Sequence, residues 1–500
     1  MKYNEINIIR KRGRPTDIRV AIAYPSIYEV AMSSLAYQMI YFYVNSRENY
    51  IGERYILNKE KEKILSIESG NRLANNDLII FSIHYELDYV NIIKMLMKSK
   101  IEIFSHKRNK PVIVIGGPPI IANPEPLSHI ADVLLLGEIE PIFPKILDLY
   151  AEYRDNKKRF FESLSPNEGF YVPSQNPTEI KVAYASTLLL DFHPIAQIQS
   201  LNKEHTWMRS TIIEAMRGCL RKCRFCLEGN IFWNKRDRPL SQIKEIALKG
   251  REYNRTSNVV LYSLSFFDHK ESDNILEFLI DEKFSFSVPS MRIETLNEKR
   301  LELIHEGGQK MLTIAPETVS RKLSIFLGKA SPQEMIENIV LLARKNGFTS
   351  LKMYFIIGIP GEKLEDIKRN IYFIKDIAQK TGYKGEKQLK ISITPFIPKP
   401  HTPLESYPFE DIRILMKKIK LFKKELGGIA DIREYSPKHA QIQTILSRGN
   451  RELSKTLVLW AYYGGNLGAW KKAIKENNIN VKKYLDNLEP PYPWHKIKIK

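Results

Sequence analysis

Cysteine is nearly absent. The 500 residues hold three, and none precedes Cys219. So few, and an odd number, exclude a disulfide framework and point to a reducing, cytoplasmic compartment. Long apolar runs are absent too. The longest charge-free stretch, Val30 to Ser46, falls short of the roughly 20 residues that span a bilayer, so no membrane span is expected. The opening MKYNEINIIRKRGRP has no apolar segment behind its charges, so no secretion signal is read there. No internal repeat and no low-complexity tract is present. What remains, 43% hydrophobic and 27% charged residues, is the composition of a folded protein of several domains.

The charge is uneven. Of the net +20, residues 1–150 carry +2, residues 151–400 carry +9 and residues 401–500 carry +9. A basic surface suits nucleic acid or another anion, and in a lysine-rich chain it is also ordinary solvated surface.

In residues 1–150, short apolar runs alternate with helical patterns. Arg19–Pro25, Asp77–Ile83, Pro111–Gly117 and Asp132–Glu138 read as strands, which implies a doubly wound, Rossmann-like parallel sheet. Ligands on such sheets lie at the strand carboxyl ends, where Gly116, Gly117 and Gly137 fall. Residues 151–206, broken by prolines, read as a connecting segment with a few strands.

A second α/β series occupies 207–430. Its strands are expected at Thr211–Ala215, Val259–Ser265, Phe284–Val288, Met311–Ala315, Leu351–Ile357 and Leu389–Thr394. Six strand–helix units suggest most of a TIM-type barrel, with its chemistry on the loops after the strands. One helix carries explicit signals: Ser331 as N-cap, Pro332 in the first turn, Glu334 closing a capping box and Gly347 as the stop. Residues 431–500 read as a basic, mainly helical extension. Its aromatics (Trp460, Tyr462, Tyr463, Trp470, Tyr492, Trp494) suit either a small core or base stacking.

All three cysteines lie within eight residues, GCLRKCRFC, at Cys219, Cys223 and Cys226. The spacing is C-x3-C-x2-C, just after the first strand of the second series. Three thiolates are one short of a tetrahedral zinc site, which would need a fourth ligand such as His269 or His305. They are also one short of the usual four for a [4Fe–4S] cluster, which would leave one iron open.

This loop, with the aromatic Phe225 before the last cysteine, resembles the motif of the radical S-adenosylmethionine (radical SAM) superfamily. The resemblance implies a [4Fe–4S] cluster on the three cysteines, with S-adenosylmethionine (SAM) chelating the open iron. One electron then cleaves SAM to a 5′-deoxyadenosyl radical, which attacks the substrate. Further features follow in family order. TIAPETVSRKL places Glu317 and Arg321 after the fourth strand, where a carboxylate suits ribose hydroxyls and a guanidinium fork suits a carboxylate. YFIIGIPGE supplies Gly358, Gly361 and Glu362 at a turn that backbone could bring close to adenine, and equally an ordinary strand-to-helix turn. After the second strand the match is poor, and Ser263 and Ser265 stand where the family binds the SAM amino group.

The N-terminal part resembles the vitamin B12-binding-like domain found ahead of many radical SAM barrels. Gly116, Gly117 and Gly137 are then candidates for the cobalamin side. The D-x-H-x-x-G motif is absent and His84 lacks its spacing, so cobalamin binding stays open. Methylthiotransferases share the domain order but need three further N-terminal cysteines, which this chain lacks.

The sequence therefore reads as a radical SAM enzyme of unassigned reaction, with cobalamin-assisted methyl transfer among the outcomes and RNA or an anionic metabolite as substrate. The alternative is a non-catalytic iron–sulfur RNA-binding or sensor module. The basic residues around the loop (Arg217, Arg221, Lys222, Arg224, Lys235, Arg236, Arg238) suit an anionic substrate, an acidic one-electron donor of the ferredoxin or flavodoxin type, or a salt-bridged surface.

Overall fold

The computed structural model describes residues 3–58, 63–202, 209–232 and 234–499. The first domain is built on β1 (Ile18–Tyr24), β2 (Tyr50–Ile56), β3 (Leu78–Ser82), β4 (Val112–Gly116), β5 (Val133–Leu135) and β6 (Phe170–Tyr171). Their order is β2-β1-β3-β4-β5-β6, with five parallel strands and an antiparallel β6 at the edge. Val20, Ile22, Ile79, Ile113 and Val114 are fully buried, because helices cover both faces of a parallel sheet. The strand order reverses between β1 and β3, which opens a crevice at the carboxyl ends there.

One of these strands, β2, was not expected, and β6 falls where a few strands were expected in a connecting segment. The run YIGERYI of β2 is interrupted by Gly52, Glu53 and Arg54, yet all seven residues are buried. Arg54 is tolerated inside because Glu68 accepts from its Nε at 2.5 Å and Glu5 pairs with its far end. β6 lies in the segment read as a connection and extends the first sheet. The 206/207 boundary lies outside the described residues.

The second series forms β7 (Thr211–Glu214), β8 (Asn258–Tyr262), β9 (Ser285–Ser287), β10 (Met311–Glu317), β11 (Ser350–Ile357), β12 (Leu389–Pro395) and β13 (Ala430–Glu434). β7-β8-β9 and β10-β11-β12-β13 are parallel sheets, joined by a bridge between Met291 and Ile314. All six expected strands are present. The seventh, β13, pairs with β12 from Lys390–Asp431 to Ile393–Glu434 and crosses the expected boundary at 430/431. It escaped sequence reading because its five residues are half-buried or exposed.

The helix expected to start at Ser331 begins at Gln333 instead, with Pro332 as an N-cap lacking a side-chain bond. Ser331 turns its hydroxyl toward Glu294, 3.5 Å away, so the capping box does not form. The helix ends at Lys345, and Gly347 takes the left-handed φ of 89° that its stop requires.

Helices Ile412–Leu426, Pro437–Arg448, Leu453–Tyr462, Leu467–Glu476 and Lys482–Leu485 follow the reading of the C-terminal part. The last part of the chain does not make a separate core. Trp460, Trp470 and Trp494 are at most 5% exposed and join the core that holds Tyr89, Ile93 and Ile115 of the first domain. Stacked bases would need these rings in the open. Ile497–Lys498 also pairs with Ile180–Lys181. Among the described residues no helix is long and apolar enough to cross a membrane.

Candidate functional site

β7 ends at Glu214. Met216–Arg217 then pairs antiparallel with Arg236–Asp237, closing the base of the loop that carries the cysteines. Gly218 starts the loop at a φ of 81°, where a side chain would collide with the backbone of Asn234. The loop is then fastened to the barrel rim. Arg224 N–H donates to Leu327 O at 2.9 Å, the Arg224 guanidinium lies 5.3 Å from the Phe326 ring centre, and Phe225 packs on the cluster of Leu323, Leu327 and Ile359.

Each sulfur has an N–H aimed at it. Arg221 N–H donates to Cys219 Sγ at 3.4 Å, Gly229 N–H to Cys226 Sγ at 3.4 Å, and Arg292 Nη1 to Cys223 Sγ at 3.2 Å. Burial raises the pKa of Cys219 and pushes Cys226 up to about 11, and neighbouring thiolates add to both shifts. A positively charged iron–sulfur core would take the place of the protons on Cys219 and Cys226, and the N–H donors suit sulfurs that have become thiolates. The histidines considered for zinc are engaged elsewhere. His269 Nε2 lies 3.0 Å from Arg238 O and its Nδ1 accepts from Glu271 N–H at 3.0 Å. The His305 ring packs 5.7 Å from that of Phe348.

Between this loop and the carboxyl ends of the first sheet lies a cavity of about 940 Å³. Gly116, Gly117 and Gly137 line its first-domain side, and Gly218, Glu228 and Ser263 line its barrel side. Apolar Ile27, Met39 and Phe143 are part of the remaining wall, as in small-molecule and cofactor sites. At Gly117, with φ 138°, and Gly137, with φ 157°, a Cβ would collide with the carbonyls of Ile83 and Ala183, so the turns pack only as glycine. His84 opens onto the cavity at the end of β3, with Nε2 3.0 Å from Ser34 Oγ, and burial lowers its pKa. Asp88, also lining it, is pushed up to about 7 by burial. Glu228 is open to the cavity, yet protein encloses it on most sides and that enclosure raises its pKa.

The other expected residues divide. Glu317 ends β10 at a left-handed φ of 63° and bonds Lys329 at 2.8 Å, while its burial raises its pKa against the pull of Lys329 and Arg292. It therefore shares the electrostatic neighbourhood of the cysteine loop. Arg321 stands exposed at the start of helix Arg321–Phe326. Ser265 is 3% exposed and donates its N–H to Ser263 Oγ at 3.0 Å. Glu362 turns back: it accepts from Gly358 N–H at 2.8 Å and bonds Lys418 at 2.6 Å, inside the protein. A Cβ on Gly358 would press on Leu415, so that glycine serves the packing of helix Ile412–Leu426, whereas space is open beside Gly361.

The basic residues around the loop are mostly paired within the protein. Arg217 meets Glu138, Glu140 and Glu214, Arg236 forks onto Glu138 at 2.6 and 2.7 Å, Lys235 bonds Asp237 at 2.7 Å, and Arg221 bonds Asp268. Arg238 is 1% exposed. Sequence reading missed Arg292 and the Glu138–Glu140 pair, which reach the site only through the folding of distant segments, and also Asp88 and Lys329, which lie near His84 and Glu317 in sequence but carry no motif of their own.

Residues 36–173 match the family described as radical SAM proteins, N-terminal, and residues 213–374 match the radical SAM superfamily. An uncharacterised protein of Methanocaldococcus jannaschii is 32% identical over 96% of this chain and 98% of its own length. An uncharacterised methyltransferase of Pyrococcus horikoshii is 27% identical over 56% of this chain and 63% of its own. Among solved structures, the radical SAM methyltransferase TsrM of Kitasatospora setae, with cobalamin and a [4Fe–4S] cluster bound, superposes with a TM-score of 0.53 at 12% identity, covering 92% of this chain and 99% of that one. A cysteine loop at the mouth of a parallel half-barrel, an α/β domain facing it across a cavity, and these matches lead to one conclusion: the chain belongs to the radical SAM superfamily, as an enzyme with an N-terminal B12-binding-like fold.

Proposed function

We propose that this enzyme holds a [4Fe–4S] cluster on Cys219, Cys223 and Cys226, takes SAM at the open iron, binds cobalamin between its two domains and transfers a methyl group. The observation that carries this reading is the cavity of about 940 Å³, walled on one side by the glycine turns of the first sheet and on the other by Gly218 and Glu228, which flank the cysteine loop. When bound, the cluster supplies the electron that cleaves a sulfonium and the corrin carries a methyl group. The chain's own work is placement. Gly116, Gly117 and Gly137 form the tight turns of the floor, Phe225 and Arg224 seat the loop, and Glu317 offers a carboxylate to sugar hydroxyls. His84, already bonded to Ser34, stands at the cavity wall.

Leu220, 67% exposed, and the exposed Lys222 form the outer rim of the loop and suit an acidic electron donor of the ferredoxin or flavodoxin type in the cytoplasm. An RNA or other anionic acceptor rests on the net charge alone, and the ion pairs around the loop weaken that support.

Anaerobic reconstitution with iron, sulfide and hydroxocobalamin tests the reading. About four iron and four sulfide per chain and one corrin retained through gel filtration are expected. Labelled SAM should then lose its methyl group under a strong reductant. Protein that assembles its cluster but retains no corrin overturns the cobalamin part.

A further inference from the structure

We infer that Arg292 is a positioning residue that donates to the cluster's Cys223 ligand and sets the reduction potential of the cluster, apart from the SAM site; this rests on the cluster reading above.

Arg292 lies on the loop after β9, far from the cysteine motif in sequence. Its backbone is fixed: Met291 N–H donates to Thr313 O at 3.0 Å, and Arg292 O accepts from Thr295 Oγ1 at 2.7 Å. Its guanidinium is fixed as well. Nε and Nη2 meet Glu294 Oε1 at 2.7 and 2.6 Å, which leaves Nη1 pointing at Cys223 Sγ, 3.2 Å away. Glu294 is itself approached by Ser331 Oγ at 3.5 Å. A planar fork held on one edge by a carboxylate presents its other edge in one direction, which a lysine cannot do.

Among the described residues, Cys219 and Cys226 take backbone donors and Cys223 takes the charged one. A reduced cluster carries one more negative charge than an oxidised one. A fixed guanidinium at a ligand sulfur stabilises the reduced form and raises the potential. The Arg292 side chain is only 14% exposed, so solvent screens this effect little.

The test is a redox titration followed by electron paramagnetic resonance on reconstituted, SAM-free protein, with SAM affinity measured separately by equilibrium dialysis. Arg292→Gln should shift the midpoint to more negative potential, and Arg292→Lys should fall between it and the wild type. SAM affinity should stay within about twofold, under 0.5 kcal/mol. Glu294→Gln keeps the guanidinium but removes its counter-charge and should shift the midpoint the other way. That second variant keeps the inference testable if Arg292→Gln assembles no cluster. Unmoved midpoints in both variants overturn it, as does a tenfold loss of SAM affinity with an unchanged SAM-free midpoint, which would place Arg292 on SAM. Wild-type protein that takes up no iron defeats the cluster reading itself, before any variant is compared.

Discussion

Arg217 forks onto Glu140 through two bonds of 2.9 and 2.8 Å, tying the residue before the cysteine loop to the helix that follows β5. It also forks onto Glu214 at 2.8 and 2.9 Å and lies 3.0 Å from Glu138. The loop is therefore oriented by the first domain as much as by the barrel. Breaking a buried ion pair from one side costs about 3–5 kcal/mol, because the abandoned carboxylates keep their charge. Arg217→Met should lower the unfolding free energy by about that amount in denaturant titration, and its iron uptake should fall with it.

Gly117 and Gly361 make a contrasting pair. Both have left-handed φ, 138° and 81°, but an added Cβ meets the Ile83 carbonyl at Gly117 and open space at Gly361. Gly117→Ala should unfold the turn at the cavity floor and abolish corrin retention. Gly361→Ala should cost about 1 kcal/mol, the price of backbone strain alone. Thermal unfolding of the two variants side by side checks this.

Glu317 is nine-tenths buried at the end of β10, and among the described residues its ion pair is with Lys329. If it takes ribose hydroxyls, Glu317→Gln loses a charge-assisted bond. SAM binding should then weaken about tenfold or more, with cluster content unchanged. Equilibrium dialysis against SAM, with iron analysis on the same sample, measures both.

Glu362 predicts a pH dependence of stability. Lys418 sits between two carboxylates, 2.6 Å from Glu362 and 2.7 Å from Glu410, so one negative charge is in excess inside the protein. Burial, outweighing Lys418, pushes Glu362 from 4.5 up to about 7. The folded state thus holds this proton more tightly than the unfolded chain. Its stabilisation is complete below about pH 4.5 and is lost as pH rises through 7, by on the order of 3 kcal/mol. Glu362→Gln should remove that loss, so its stability relative to wild type should rise between pH 4.5 and 7 in denaturant titrations.

Patterns carried by neighbours in sequence were legible. The cysteines sit in one loop, and the apolar runs of β1, β3, β4 and the six expected barrel strands announce themselves. β2 and β13 did not, because Glu53 and Arg54 interrupt one and exposure thins the pattern of the other. Charge was the least legible quantity. Composition counts Arg217 and Arg236 as basic surface, but it cannot see Glu138 and Glu140 folded against them. Arg292, 69 residues from Cys223, becomes a neighbour of the sulfur only when β7, β8 and β9 line up in one sheet. Glu362 was legible as part of a glycine-rich turn, and its inward direction was not, because Lys418 lies 56 residues further on.

The packing of Leu453–Tyr462 on Tyr89–Lys98, with Trp494 in the same core, bears on how the protein is made. A ribosome releases the first sheet long before it releases the helices and the strand that cover one face of it. During that interval Tyr89, Ile93 and their neighbours have no lid, while the barrel between them is still emerging. The domain begun first is finished last, so a truncated transcript ending after the barrel would yield an aggregation-prone protein and not a smaller enzyme.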